Sequence, residues 1–214
     1  SQQFMVSAAN PYAANAGSKI LSKGGNAIDA AIAVQLVLNL VEPQSSGIGG
    51  GAFLLYWDQS KKELVTFDGR ETAPAKADSN LFHQPNGEPM KWIEAVVGGR
   101  SVGVPGVLKM FEKAHQQYGT LPWATLFEEA IQLAEQGFIV SPRLEKLVAA
   151  GINPGLKRGG ATRQYFFPNE QPIKAGERLK NPMLAGALRR IANEGSASFY
   201  SGSTAQHIVD KVNN

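Results

Sequence analysis

The residues best able to do chemistry sit in two short stretches. One is DGRETAP, residues 68–74. An arginine just after a glycine turn can face a cleft, and its planar fork binds a carboxylate through two parallel hydrogen bonds. The same arginine, Arg70, can instead be engaged in an ion pair with Glu71 or Asp68, which is how most such pairs are used. The other stretch is GIGGGAFLLYW, residues 47–57. A phosphate-binding loop needs Lys and Ser or Thr after its last glycine, but Ala52 and Phe53 stand there. A dinucleotide fingerprint follows a strand and opens a helix, whereas this loop follows a helical pattern and opens a strand. What remains is a tight connection, where glycine permits positive φ and close backbone approach. Ser45 and Ser46, just before it, can cap the turn or donate to an anion. His83, His115 and His207 are far apart and share no metal-ligand spacing, so each reads as a surface or satisfied histidine. There is no G-x-S-x-G elbow and no cysteine. The residues alone therefore present no nucleophile with a base beside it.

The elements that must position these groups follow from periodicity and punctuation. Met5 to Ala9 reads as a short buried strand, broken by Asn10-Pro11. Tyr12 to Lys23 is helical and is stopped by Gly24-Gly25. Asn26 caps a second helix over Ala27 to Asn39, apolar on nearly every face apart from Asp29 and Gln35, as for a helix buried between layers. Ala52 to Trp57 and Glu63 to Phe67 form a hairpin. Residues 76–92 read as a loop, and Ala95 to Val104 as a strand broken by Gly98-Gly99. Helices are expected over about 106–118, 122–136 and 142–150, and over 182–193 with Pro182 in its first turn. Residues 151–178 read as a long irregular segment, and Ser203 as the cap of a last helix.

The 214 residues, 43% of them hydrophobic, suffice for a sizeable core. The formal charge is only +3, with no basic run longer than Lys157-Arg158, so nucleic-acid binding is not expected. No run of about 18 apolar residues exists to span a bilayer. The chain opens at Ser1 rather than Met, and this start reads as processed or engineered.

GGNAIDAAIAVQLVLNLVEPQSSGIGGGAFLLYW, DGRETAPA, SVGVPG, YGTLPWATLFEEAIQLAEQGFIVSPRL and AGERLKNPMLAGALRRIANEGSASFYSG occur in this order. Together they closely resemble the γ-glutamyltranspeptidase family, which includes cephalosporin and glutaryl acylases. The resemblance covers nearly the whole chain. It implies an α+β fold, the four-layer αββα sandwich of N-terminal nucleophile hydrolases, partly represented here and with an added helical lobe. Residues 1–105 would supply core sandwich elements and 106–214 a mainly helical part of one large-subunit segment. Such a precursor cuts itself into two subunits, and the small one begins with a nucleophilic Thr that is absent from this sequence. No catalytic residue is therefore expected in this chain. Arg70 would bind the α-carboxylate of a γ-glutamyl group, Glu71 would orient Arg70, and Gln44 would approach the pocket. Ser1, with a hydroxyl and a free amine, is a poor candidate nucleophile, since the family's nucleophile opens the other subunit.

The resemblance implies γ-glutamyl transfer and hydrolysis, with a glutathione-type donor and the small subunit as partner. A glutaryl or cephalosporin acylase is the first alternative, and a non-catalytic binding module the second. No metal or organic cofactor is called for. Family likeness implies a periplasmic or secreted protein.

Overall fold

The computed structural model describes residues 3–158 and 160–213. Its elements are α1 (Pro11–Ser22), α2 (Ala27–Val41), β1 (Ala52–Asp58), β2 (Glu63–Gly69), α3 (Trp92–Val96), α4 (Val107–Tyr118), α5 (Glu128–Gln136), β3 (Phe138–Ile139), α6 (Pro142–Ala149), α7 (Gly160–Phe166), β4 (Arg178–Leu179), α8 (Pro182–Glu194), α9 (Ala197–Tyr200) and α10 (Gly202–Asn213). Short 3₁₀ turns precede several helices.

Helix α2 is the centre of the fold because so little of it is polar. Ile32, Leu36, Val37 and Leu40 are sealed from solvent, with α1 along one side and α4 and α5 on others. Its start is fixed by a reciprocal cap. Asn26 Oδ1 accepts from the Ile28 and Asp29 amides at 2.9 and 3.1 Å, and Asp29 Oδ2 accepts from the Asn26 amide at 3.0 Å. Asp29 has a second task. Its carboxylate, 0% exposed, also accepts from the amides of Thr120 and Leu121 at 3.1–3.2 Å, tying α2 to the turn after α4.

The hairpin β1–β2 is antiparallel, pairing Ala52 with Gly69, Leu54 with Phe67 and Tyr56 with Val65. These pairs face inward, and Tyr56 and Phe67 bring their rings to 4.9 and 6.2 Å from that of Tyr118 on α4. Alternation puts the other set outside. Phe53, Leu55, Trp57 and Leu64 are 52–68% exposed, an apolar face with no cover among the described residues.

Several expectations change. Residues 4–8 keep a strand's alternation, with Val6 and Ala8 half-buried and Met5 83% exposed, but they form no ladder among the described residues. No strand runs over 95–104. The chain makes α3 and a 3₁₀ turn (Gly99–Ser101), because Gly98 at φ +124° breaks the extended run, and only Val104 bridges back to Thr72. Residues 151–178 hold α7 and the first residue of strand β4, which pairs with β3. The last helix begins at Gly202, so Ser203 lies inside it rather than capping it.

The glycine loop departs from expectation in one respect. None of Gly47, Gly49, Gly50 and Gly51 has positive φ, so close approach is what requires glycine here. A Cβ on Gly51 would lie 2.6 Å from Gly69 O and 2.9 Å from Arg70 Cα. Gly106 is as tight against the same backbone, 2.3 Å from Gly69 O. The Gly50 carbonyl accepts from the amides of Gly106 and Val107, where α4 begins, at 3.1 and 3.2 Å. Loop, hairpin end and helix start are thus packed backbone to backbone.

Candidate functional site

Arg70 leaves the end of β2 at this junction. Its amide donates to Asp68 Oδ1 at 2.9 Å, which shapes the turn. Its guanidinium is exposed and has no carboxylate or carbonyl partner among the described residues. Neither candidate ion-pair partner is used: Asp68 holds the backbone, and Glu71 points elsewhere. Arg70 lines an open concavity of about 430 Å³ with Gly49, Thr72, Ser101 and Gly103. Thr72, in its lining, bridges to Val104, amide to carbonyl in both directions at 3.3 and 2.8 Å.

The structure does not use Glu71 to orient Arg70. Consecutive side chains of an extended chain point to opposite sides. The Glu71 carboxylate lies instead against the loop, where Oε2 would be 2.6 Å from a Cβ on Gly51. It forms the partition between the Arg70 concavity and a second one of about 500 Å³, lined by Gln35, Ser45, Ser46 and Gly50. Gln44 lines neither. Its amide donates to the buried Glu42, which also accepts from Asn10 Nδ2 at 2.8 Å. Ser1 lies outside the described residues.

The histidines stay apart. His115 sits 2.8 Å from the Leu121 carbonyl and stacks near Trp123, His207 is exposed on α10, and His83 is in the 76–92 loop. Among the described residues no group of three His, Asp or Glu is placed to hold a metal ion.

A free, fork-shaped cation in an open cleft can bind a carboxylate bidentately. Two hydroxyl residues, Thr72 and Ser101, line the same cleft, but Ser101 Oγ donates to the Val96 carbonyl at 2.7 Å, and among the described residues no histidine, lysine or carboxylate is hydrogen-bonded to either hydroxyl. Two features of the site escape sequence reasoning: the partition made by Glu71, and the link from Gln35 Nε2 to Ser46 Oγ at 2.9 Å. The available signal for the link is the presence of Gln35 and Asn39, four residues apart, on a helix whose one other polar residue is Asp29.

Comparison with known proteins decides the family. The gamma-glutamyltranspeptidase family description matches residues 13–214. The chain belongs to the γ-glutamyltranspeptidase family. It is 40% identical over 208 residues to the glutathione hydrolase proenzyme of Bacillus subtilis (strain 168), covering 97% of this chain and 35% of that protein. Among solved structures, it is similar to the γ-glutamyltranspeptidase from Pseudomonas nitroreducens complexed with L-DON, with TM-score 0.89 and 33% identity over 98% of this chain and 60% of that one. It is also similar to a cephalosporin acylase from Bacillus halodurans, with TM-score 0.80 and 32% identity over 96% of this chain and 39% of that one. The chain thus spans about a third of the length of the curated relatives it matches. As a γ-glutamyltranspeptidase family member it carries mixed helix and strand in the family's arrangement.

Proposed function

We propose that the full-length protein transfers the γ-glutamyl group of glutathione-type donors to water, amino acids or peptides. The observation that carries this reading is the unpaired Arg70 guanidinium in an open cleft of a γ-glutamyltranspeptidase family chain. A γ-glutamyl donor brings an α-carboxylate to pair with it. In this reading the hydroxyl of a Thr that opens a small subunit attacks the γ-carbonyl. The Thr amine takes the proton and passes it to the departing amine. Water or an acceptor amine then resolves the γ-glutamyl ester. That relatives are glutathione hydrolase proenzymes supports processing into two chains. The acylase reading rests on the similar cephalosporin acylase. A glutaryl group has no α-carboxylate to pair with Arg70, so the free guanidinium favours the γ-glutamyl reading.

The test is to express the full-length gene product, determine the N-termini of its chains and assay γ-glutamyl and glutaryl anilides. Two chains, one beginning with Thr, and turnover of the γ-glutamyl compound are expected. The 214-residue chain alone is expected to show none. A single unprocessed chain without turnover would leave the binding-module reading in place.

The exposed hairpin face supports the finer fold reading, a sandwich in which β1 and β2 belong to one sheet and a second sheet packs on Phe53, Leu55 and Trp57. Residues 1–105 supply the sheet elements and 106–214 the helical part in that reading. Leu55→Asp puts a charge on this face. If the face is covered in the full-length protein, the substitution should cost about 3 kcal/mol or more and lower its melting temperature. An unchanged melting temperature would mean that the face stays wet.

A further inference from the structure

Helix α2 carries two polar side chains one turn apart on the side facing the glycine loop. Asn39 is buried, at 6% exposed, and Gln35 is half-buried. The Gln35 amide nitrogen donates both to Asn39 Oδ1 at 3.0 Å and to Ser46 Oγ at 2.9 Å. Ser46 is the last residue before the loop. Its amide and that of Ser45 donate to the Glu42 carbonyl at 3.1 and 3.0 Å, which continues the end of α2. From 47 to 51 the loop is glycine except for Ile48. Glycine has the greatest backbone freedom of any residue, so such a stretch needs restraint from outside. Gln35 is the side chain that fastens the entry of this loop to the rigid helix. At its exit the loop runs into β1, where Ala52 pairs with Gly69, and Gly51 passes so near the end of β2 that a Cβ on it would lie 2.6 Å from Gly69 O and 2.9 Å from Arg70 Cα. The path Asn39–Gln35–Ser46–loop–Arg70 is continuous in contact.

We propose that Gln35 is a positioning residue for Arg70, setting the pose of its fork through the glycine loop without touching substrate. This rests on the reading of Arg70 as the anchor of the donor's α-carboxylate. Asn39 holds the Gln35 amide, and Ser46 receives its second hydrogen bond. Because the carboxylate is bound in the ground state and the transition state alike, misplacing its anchor acts on KM more than on kcat.

The experiment uses the full-length, processed protein and a γ-glutamyl anilide. Gln35→Leu removes the amide at similar size, and Ser46→Ala removes its acceptor. Each is expected to raise KM about five- to twentyfold, the scale of a sub-ångström misplacement, with kcat changed less than about twofold. The two together should be no worse than the worse one, since both cut the same link. In an Arg70→Lys background, where the fork is already lost, Gln35→Leu should change KM less than about twofold. A lower melting temperature with KM unchanged would overturn the proposal, because Gln35 would then be only structural. So would an equal rise in KM in the Arg70→Lys background. Ser46→Ala, at a half-exposed position, keeps the test alive if Gln35→Leu fails to fold. If Arg70→Lys alone leaves KM unaltered, the anchor reading fails instead. If Arg70→Lys raises KM but Gln35→Leu and Ser46→Ala do not, only the positioning role falls.

Discussion

Arg70→Ala in the full-length protein is expected to lower kcat/KM for γ-glutamyl donors on the order of 10²-fold, which corresponds to about 3 kcal/mol. Among the described residues the fork has no partner to which it could return, so its hydrogen bonds are available for substrate. Truncation would leave the donor's carboxylate in a cleft whose remaining charged lining residue is Glu71, a like charge, beside the uncharged Thr72, Ser101 and Gly103. The loss should fall mainly on KM, since the carboxylate is far from the bond that breaks. Arg70→Lys keeps the charge but not the paired geometry, and should sit between wild type and alanine. Steady-state kinetics with γ-glutamyl and glutaryl anilides reads the difference. The glutaryl compound, lacking the α-carboxylate, should be nearly indifferent to the change. Equal losses on both compounds would mean that Arg70 shapes the fold, and no loss on either would remove it from the site.

The second large effect concerns stability. Asp29→Ala should destabilise the protein by about 2–4 kcal/mol. The Asp29 carboxylate is wholly buried and serves the amides of Asn26, Thr120 and Leu121, with His115 Nε2 3.8 Å away. Alanine removes the acceptor from three part-buried N–H groups and leaves a void where the buried carboxylate sat; an N–H that water cannot reach then costs about 1–3 kcal/mol. Asp29→Asn keeps one acceptor oxygen but turns an NH₂ toward donors, so it should recover only part of the loss. Denaturant midpoints of the three proteins measure this, and equal midpoints would show that the amides find other partners.

Much of the helical structure was legible because it is announced locally. Asn10, Asn26, Ser141 and Asn181 each accept a backbone N–H at the start of a helix, and such caps can be recognised without tertiary information. The hairpin was legible from alternation. The 92–101 region was not, since Val96 and Val97 suit a strand, and the outcome turns on one glycine at positive φ. Residues 5–9 have a strand's alternation, but pairing needs a neighbour that local sequence does not supply. At the site, Arg70 stood out through its motif and its turn. The side on which Glu71 falls, and the reach of Gln35 to a serine 11 residues away, depend on how α2, the loop and β2 meet in space. Gln44 carries the opposite lesson: its neighbour Glu42, buried, offers a nearer hydrogen-bond acceptor than the pocket does.

The two tasks of Asp29 also imply an order in time. Its bond to the Asn26 amide closes within three residues, so α2 can acquire its cap as soon as that segment leaves the ribosome. Its bonds to Thr120 and Leu121 wait for about 90 more residues to be synthesised. In that order of events the carboxylate would hold one end of the helix while its other lone pairs stay hydrated. The arrival of the 120–121 turn would then replace that water with the two amides and join the early helical pair to what is made later. In a pulse-labelling refolding experiment the amides of Ile28 and Asp29 should gain protection from exchange before those of Thr120 and Leu121. One aspartate would thus serve first as a nucleation point and afterwards as the latch that commits the later half of the chain.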